Sequence, residues 1–494
     1  MTLSDLTLGA RPTGRTALGA AYVLGHGEGG PRLLKNAEVV IEGGKVLHIG
    51  RRFEGEVARR IDLGNVLISP GFIDLDALSD LDTTVLAIDH PVGWKAGRVW
   101  PQSYITRGPY EMYSPEELAF QKKFAFAQLL LSGITTAAPI ASLFYREWGE
   151  TTAEFDAAAE AAMDLGLRVY LGPAYRAGGM VCTEPGVLKP ILNEARGLEG
   201  LAEAEAFVRK WDGAGEGLIR GLFAPDRVET CSEDLLKRTF KAAEALNVPV
   251  RLHMAQGLME REAMALQHGK TAPEWLASLG LLSPRLLAPH ATWATEEDLA
   301  LYAQHGVSVI HCPLVSSRFG GRLNSFGKLR KMGVNIAMGT DTAPADMVMN
   351  LQAAMMMARM TEGRADAVFS PELWDAATLG GARALQRPDL GRLEPGACAD
   401  IAVLDLSDIY MAPTIDPITT LIAGGSGRVV KATFVDGRLS MRDGEVAGFD
   451  LKAARIQAQK QFDGLVERYP DRTWGHPKVA EIFPPSYPLE VCDD

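Results

Sequence analysis

Six polar side chains close short apolar stretches of this chain, and their types are those that move protons, bind metal or orient a small molecule. They are Asp76, His253, Gln256, His290, His311 and Asp341. Aspartate and histidine can accept protons or offer an oxygen or nitrogen to a zinc or iron ion. Glutamine can orient a substrate by hydrogen bonds but cannot act as general acid or base near neutral pH. Each residue also has an ordinary structural reading, since a strand-end histidine can serve packing and a strand-end aspartate can cap a following helix. Arg318 and Arg322, after Pro313, could meet an anionic substrate group or simply be solvated.

The elements that must position these groups follow a regular alternation. From Pro70 onward, short apolar strands alternate with amphipathic helices, the pattern of a parallel α/β sheet or barrel. Strand candidates are Gly133 to Ala137, Leu167 to Leu171, Leu222 to Ala224, Val248 to His253, Leu286 to His290, Val307 to His311 and Val334 to Gly339. With the strand ending at Asp76 they make about eight, the number that closes a barrel, in which reacting groups sit at the C-terminal strand ends. Ser114-Pro115-Glu116-Glu117 and Ser370-Pro371-Glu372 carry helix-start signals. The Met355-Met356-Met357 cluster reads as helix packing. Before Pro70 and after about residue 390 the texture is β, with a hairpin expected around Gly43-Gly44.

Composition bounds the partners. The chain has 494 residues, 47% hydrophobic and 23% charged, enough for a large core beneath a soluble surface. Its net charge of -12, without a long basic run, argues against nucleic acid or an anionic membrane as partner. Cys182, Cys231, Cys312, Cys398 and Cys492 are scattered and lack C-x-x-C spacing, so neither a disulfide framework nor a zinc ribbon is indicated and a reducing cytoplasm fits. Thr16 to Leu24, behind Arg11 and Arg15, faintly imitates a signal peptide but lacks a clean cleavage site, and is expected to be the first strand. No run approaches the roughly 18 apolar residues of a membrane helix. A homodimer is the expected assembly.

The segment Pro70-Gly71-Phe72-Ile73-Asp74-Leu75-Asp76-Ala77-Leu78 resembles the PGxIDxHxH opening strand of the amidohydrolase superfamily, with Asp76 and Leu78 in the two histidine positions. The resemblance continues in order. His253 with Gln256 is similar to the fifth-strand H-x-x-E, Ala288-Pro289-His290 to the sixth-strand histidine, and Met338-Gly339-Thr340-Asp341 to the eighth-strand aspartate. His311-Cys312-Pro313 also matches a family segment, where the histidine shapes the pocket wall. The branch is that of triazine chlorohydrolases and cytosine and guanine deaminases. The implied fold is a (β/α)8 TIM-like barrel over residues 69–390, with a small β-sandwich from residues 1–68 and 391–447 and a helical, proline-rich tail over 448–494.

The resemblance implies water attack on a C–N or C–Cl bond of a small nitrogen heterocycle. Asp341 would be the catalytic base, His290 would contact the water or the developing charge, and His253 would bind metal or substrate. Gln256, His311 and Arg318 would contact substrate. The metal set would be Asp76, His253 and Asp341, because Leu78 cannot ligate and the Leu222 to Ala224 strand has no lysine to bridge two metals. One divalent ion, zinc or iron, weakly held, and no metal at all both remain open. So does a second function class, an inactive relative kept as a binding or scaffold protein.

Overall fold

The computed structural model describes residues 2–87, 100–107, 111–140, 146, 148–184, 187–490 and 492. Its strands are β1 (Thr16–Gly27), β2 (Gly30–Glu42), β3 (Lys45–Gly50), β4 (Arg59–Asp62), β5 (Val66–Pro70), β6 (Phe72–Ala77), β7 (Ile134–Pro139), β8 (Arg168–Leu171), β9 (Gly178–Glu184) and β10 (Val187–Leu192). They continue as β11 (Ile219–Gly221), β12 (Val250–Arg251), β13 (Leu286–Pro289), β14 (Ser308–His311), β15 (Asn335–Met338), β16 (Ile401–Asp405), β17 (Val430–Val435), β18 (Arg438–Arg442) and β19 (Glu445–Val446).

Eight of these form a parallel sheet in the order β11-β8-β7-β6-β15-β14-β13-β12. The ends meet, because Phe223 N donates to Pro249 O at 3.0 Å and Arg251 N to Phe223 O at 2.9 Å, so the sheet closes into a (β/α)8 barrel. The strands are short and buried, as parallel strands covered by helices must be. Alternation divides their side chains between two cores. Leu286, Ala288, Val309, Ile336 and Val169 pack outward against the helices, whereas Leu287, Ile310, Ala337 and Tyr170 fill the lumen.

Local signals set the helix starts. Glu117 N donates to Ser114 Oγ at 3.2 Å and Ser114 N to the Glu117 carboxylate at 2.9 Å, closing the capping box of the helix Pro115–Leu131. At the second signal the helix Ser370–Asp375 begins one residue earlier than its serine suggests. Phe369 is the cap, and its N–H donates to Glu372 at 2.8 Å. On the helix Met347–Glu362 the buried stripe is Met347, Val348, Leu351, Ala354 and Ala358 at helical spacing; Met355 packs at its margin and Met356 faces solvent. Packing therefore explains only part of the methionine cluster.

A second sheet joins the two ends of the chain in the order β19-β18-β17-β16-β5-β1-β2-β3, with β4 pairing β1. The central seam is β16 antiparallel to β5, from Ile401 opposite Pro70 to Asp405 opposite Val66. The Gly43-Gly44 turn joins β2 to β3, and the apolar Thr16 to Leu24 run lies within β1. A buried ion pair ties this sheet to the barrel, with Arg168 Nε and Nη2 on the two Asp400 oxygens at 3.1 Å each. The tail begins with the helix Leu451–Arg468, which packs on the helix Pro115–Leu131 through Gln121 and Gln461 at 2.9 Å. Among the described residues no helix is long and apolar enough to cross a membrane.

Candidate active site

Asp76, His253, His290, His311 and Asp341 all lie at the C-terminal ends of barrel strands, and four of them meet over the lumen. His253 Nε2 is 3.5 Å and His290 Nε2 3.8 Å from Asp76 Oδ2, and Asp341 Oδ2 is 3.8 Å from His290 Nε2. The Asp341 N–H donates to Asp76 O at 2.6 Å, which locks the β6 and β15 ends together. Gly339 makes that approach possible: a Cβ there would lie 2.6 Å from Asp76 Cβ and 3.0 Å from Cys312 Sγ.

Backbone strain aims these groups. Asp226, Ala255, His290, Ala291 and Asp341 all have positive φ, from 25° to 76°, in the segments that follow β11, β12, β13 and β15. Such angles are costly for residues other than glycine and cluster where a fold holds functional geometry. In a regular strand His290 would share the outward face of Leu286 and Ala288. Its φ of 76° breaks the alternation and brings the imidazole to Asp76 and Asp341.

Protonation follows from burial and neighbours. His253 Nδ1 is 3.1 Å from Asp226 O, which can only accept, so Nδ1 carries the hydrogen and the Nε2 lone pair faces the Asp76 carboxylate. Two acceptors 3.5 Å apart need a cation between them, either a proton or a metal. Burial drives the His290 pKa down to about 3, keeping it neutral, and burial alone takes His311 to about 4. Asp76 is fully buried, which would raise its pKa, yet His253 foremost, then Arg251 and His290, hold it down at about 2. Asp341 is pushed well above the usual carboxylate range by burial first and then by Asp76, Asp82 and Asp74.

These residues fit one divalent ion. Asp76, His253 and His290 each offer one atom, all within 4.8 Å of one another, and both Asp76 Oδ1 and His290 Nε2 are buried without a hydrogen-bond partner. Two nitrogens and a carboxylate oxygen suit zinc or iron. The compact set thus differs from the expected one, with His290 in the place given to Asp341, which lies beside it. Leu78 is buried in the apolar core between barrel and helices and offers nothing. The Arg251 guanidinium, 3.8 Å from Asp76 Oδ1, competes with a cation for that carboxylate.

The remaining expected residues divide. Gln256 Oε1 accepts from Arg227 Nη1, so its amide is held rather than free. His311 closes β14 with its Nδ1 buried and unpartnered, beside Phe326. Arg318 donates to Thr342 Oγ1 at 3.0 Å and Ala343 O at 2.9 Å, and it braces the loop after Asp341. Arg322 is exposed.

Four contributors escaped sequence reasoning. Arg251 donates to Ala138 O and Pro139 O inside the barrel, and its two-residue spacing from His253 was the available signal. Glu260 accepts from Ala255 N and Gln256 N at 2.7 Å each. Arg227 comes from the segment after β11, and Asp74 accepts from Thr340 N at 3.0 Å and Thr340 Oγ1 at 2.6 Å. No local pattern distinguishes Glu260 or Arg227, whereas Asp74 lies within the Pro70 to Leu78 segment.

A closed (β/α)8 barrel with carboxylates and histidines converging at its C-terminal mouth defines a hydrolase-type site. The amidohydrolase family matches residues 67–440, and the chain belongs to that family, as a hydrolase of carbon–nitrogen bonds other than peptide bonds. It is 26% identical over 446 residues to a 5'-deoxyadenosine deaminase of Methanosarcina barkeri, covering 88% of this chain and 95% of that one. It is 34% identical over 270 residues to a 5-methylthioadenosine/S-adenosylhomocysteine deaminase of Halobacterium salinarum, covering 54% and 62%. Among solved structures, an adenosine deaminase from Xanthomonas campestris with bound zinc superposes with a TM-score of 0.73 at 22% identity over 91% of this chain and 98% of that one. Atrazine chlorohydrolase from Arthrobacter aurescens complexed with zinc gives 0.75 at 22% identity over 90% and 99%.

Proposed function

We propose that the chain hydrolytically removes an amino group from a nitrogen heterocycle of the adenosine class, with Asp341 as the proton-transferring residue. The observation that carries this reading is the convergence of Asp341 and His290 beside an Asp76, His253 and His290 donor set in which Asp76 Oδ1 and His290 Nε2 are buried without hydrogen-bond partners. The deaminase relatives support the substrate class.

His253, His290 and Asp76 would hold one divalent ion, weakly, which when bound supplies a Lewis acid that makes water a better nucleophile. The chain's own groups do the rest. Asp341 takes a proton from water as the oxygen bonds to the electrophilic carbon, and its raised proton affinity lets it keep that proton. The same carboxyl then returns the proton to the departing amine as the carbon–nitrogen bond breaks, releasing ammonia. Gln256 cannot share this duty and acts by hydrogen bonding. His311 forms the pocket wall. Arg318 acts indirectly, through the Asp341 loop.

The test is ammonia release from 5'-deoxyadenosine, adenosine and amino- or chlorotriazines, with and without added zinc or iron. Turnover that disappears in Asp341→Asn supports the reading. Tight binding without turnover would instead favour a binding protein, a reading that draws on Gln256 and Leu78. We place the protein in the cytoplasm as a homodimer, supported by its five free cysteines and by the exposed Met356, Met360, Ile409, Tyr410 and Ile415.

A further inference from the structure

Resting on that reading, we propose that Arg227 is a positioning residue that fixes the hydrogen-bond polarity of position 256, so that this position donates to substrate and cannot be turned into a proton shuttle merely by restoring a carboxylate.

Arg227 is a donor only, so its bond to Gln256 settles which end of the amide is which. The carbonyl oxygen faces the guanidinium, and the Nε2 hydrogens, which make no hydrogen bond with any described residue, are left for a ligand. The substrate atom opposite Gln256 is therefore an acceptor. The rest of the residue is equally constrained. Its N–H is taken by Glu260, and its carbonyl accepts from Thr292 Oγ1 at 2.7 Å.

Arg227 is itself anchored. Its Nε lies 2.8 Å from Glu229 Oε1, and its backbone pairs with that of His253 at the barrel mouth. Its charge reaches the site, lowering the proton affinity of both His290 and Asp341. The titratable groups around position 256 are Arg227 and Glu229 from the segment after β11 and Glu260 from the helix Leu258–His268. A carboxylate at position 256 would meet the guanidinium directly and form a charge-assisted pair, which holds it ionised. An ionised carboxylate donates nothing to a ring nitrogen.

The test is an infrared titration of the new carboxyl in Gln256→Glu, in the wild-type background and with Arg227→Met and Glu229→Gln together, which removes both charges of the pair. The expected midpoint in the wild-type background lies below the roughly 4.3 of free glutamate and rises by about 2 units or more when the pair is removed. A midpoint at or above that value in Gln256→Glu alone, or a change under about 0.5 unit between backgrounds, overturns the proposal. If the charge-deleted protein does not fold, the single variant decides. Ammonia release from adenosine is read on the same proteins. No gain for Gln256→Glu and at least a tenfold gain for the triple variant are expected, and a tenfold gain for Gln256→Glu alone overturns it. Absence of turnover in every variant would refute the deaminase reading, while the infrared midpoints would still decide the role of Arg227.

Discussion

Asp341 stands at a φ of 62°, hydrogen-bonded through its backbone to Asp76 and facing His290, with three other carboxylates raising its proton affinity. Asp341→Asn keeps the shape and removes the proton acceptor, so kcat on any substrate found should fall roughly 10²-fold or more, with the circular dichroism spectrum unchanged. Gln256→Ala should act mainly on KM, as expected for an orienting contact made equally in ground and transition states; a fall confined to kcat would contradict that role. The metal should be present below one ion per chain after dialysis against chelator. Leu78 removes one ligand, and Arg251 competes for Asp76. Elemental analysis giving one tightly held ion per chain would show the donor set to be stronger than this. Gln256, as an amide in the shuttle position, was legible in the sequence, but its orientation was not, because Arg227 lies 29 residues away in the chain.

The strained turn between β12 and the helix Leu258–His268 depends on Glu260, whose two oxygens take the N–H groups of Ala255 and Gln256. Burial, and secondarily Glu229, push its pKa up from 4.5 to about 7, against the pull of Arg227 and the two backbone donors. The folded state thus favours the protonated form more than the unfolded chain does. Its contribution to stability is whole below pH 4.5 and is lost as the pH rises through about 7. Urea unfolding from pH 4.5 to 8 should show wild type losing up to about 3 kcal/mol relative to Glu260→Gln over that window, and parallel pH profiles for the two proteins would disprove it. Element types were readable because apolar strands of four to six residues and capped helices repeat with regular spacing. Element ends were less so. Phe369 rather than Ser370 caps its helix, with its N–H on Glu372, and His290 departs from strand alternation where it meets Asp76 and Asp341 from other strands.

At the scale of the molecule, barrel and second sheet are coupled by Arg168 and Asp400, a bidentate pair buried between β8 and the residue before β16. Asp400 Oδ1 also accepts from Asp436 N at 2.7 Å, so one carboxylate links three parts of the chain. Asp400→Ala would strand a buried guanidinium and should cost about 3–5 kcal/mol, read as a lowered Tm in calorimetry. Replacing Arg168 and Asp400 together by apolar residues of similar volume should cost much less. If the single and double variants melt alike, the pair is not the coupling.

The sequence by itself determined the barrel class and the family, because a run of short apolar strands, the Pro70 to Leu78 segment and the Gly339-Thr340-Asp341 triplet are local patterns. It also singled out most of the residues at the mouth. Only the tertiary structure decided how they combine: that His290 joins Asp76 and His253, that Arg318 braces a loop, and that Arg227, Arg251 and Glu260 belong to the site. Those assignments rest on distances of a few ångströms between segments far apart in the chain, on left-handed backbone angles that break alternation, and on burial that shifts proton affinities. None of these leaves a periodic trace in the order of amino acids.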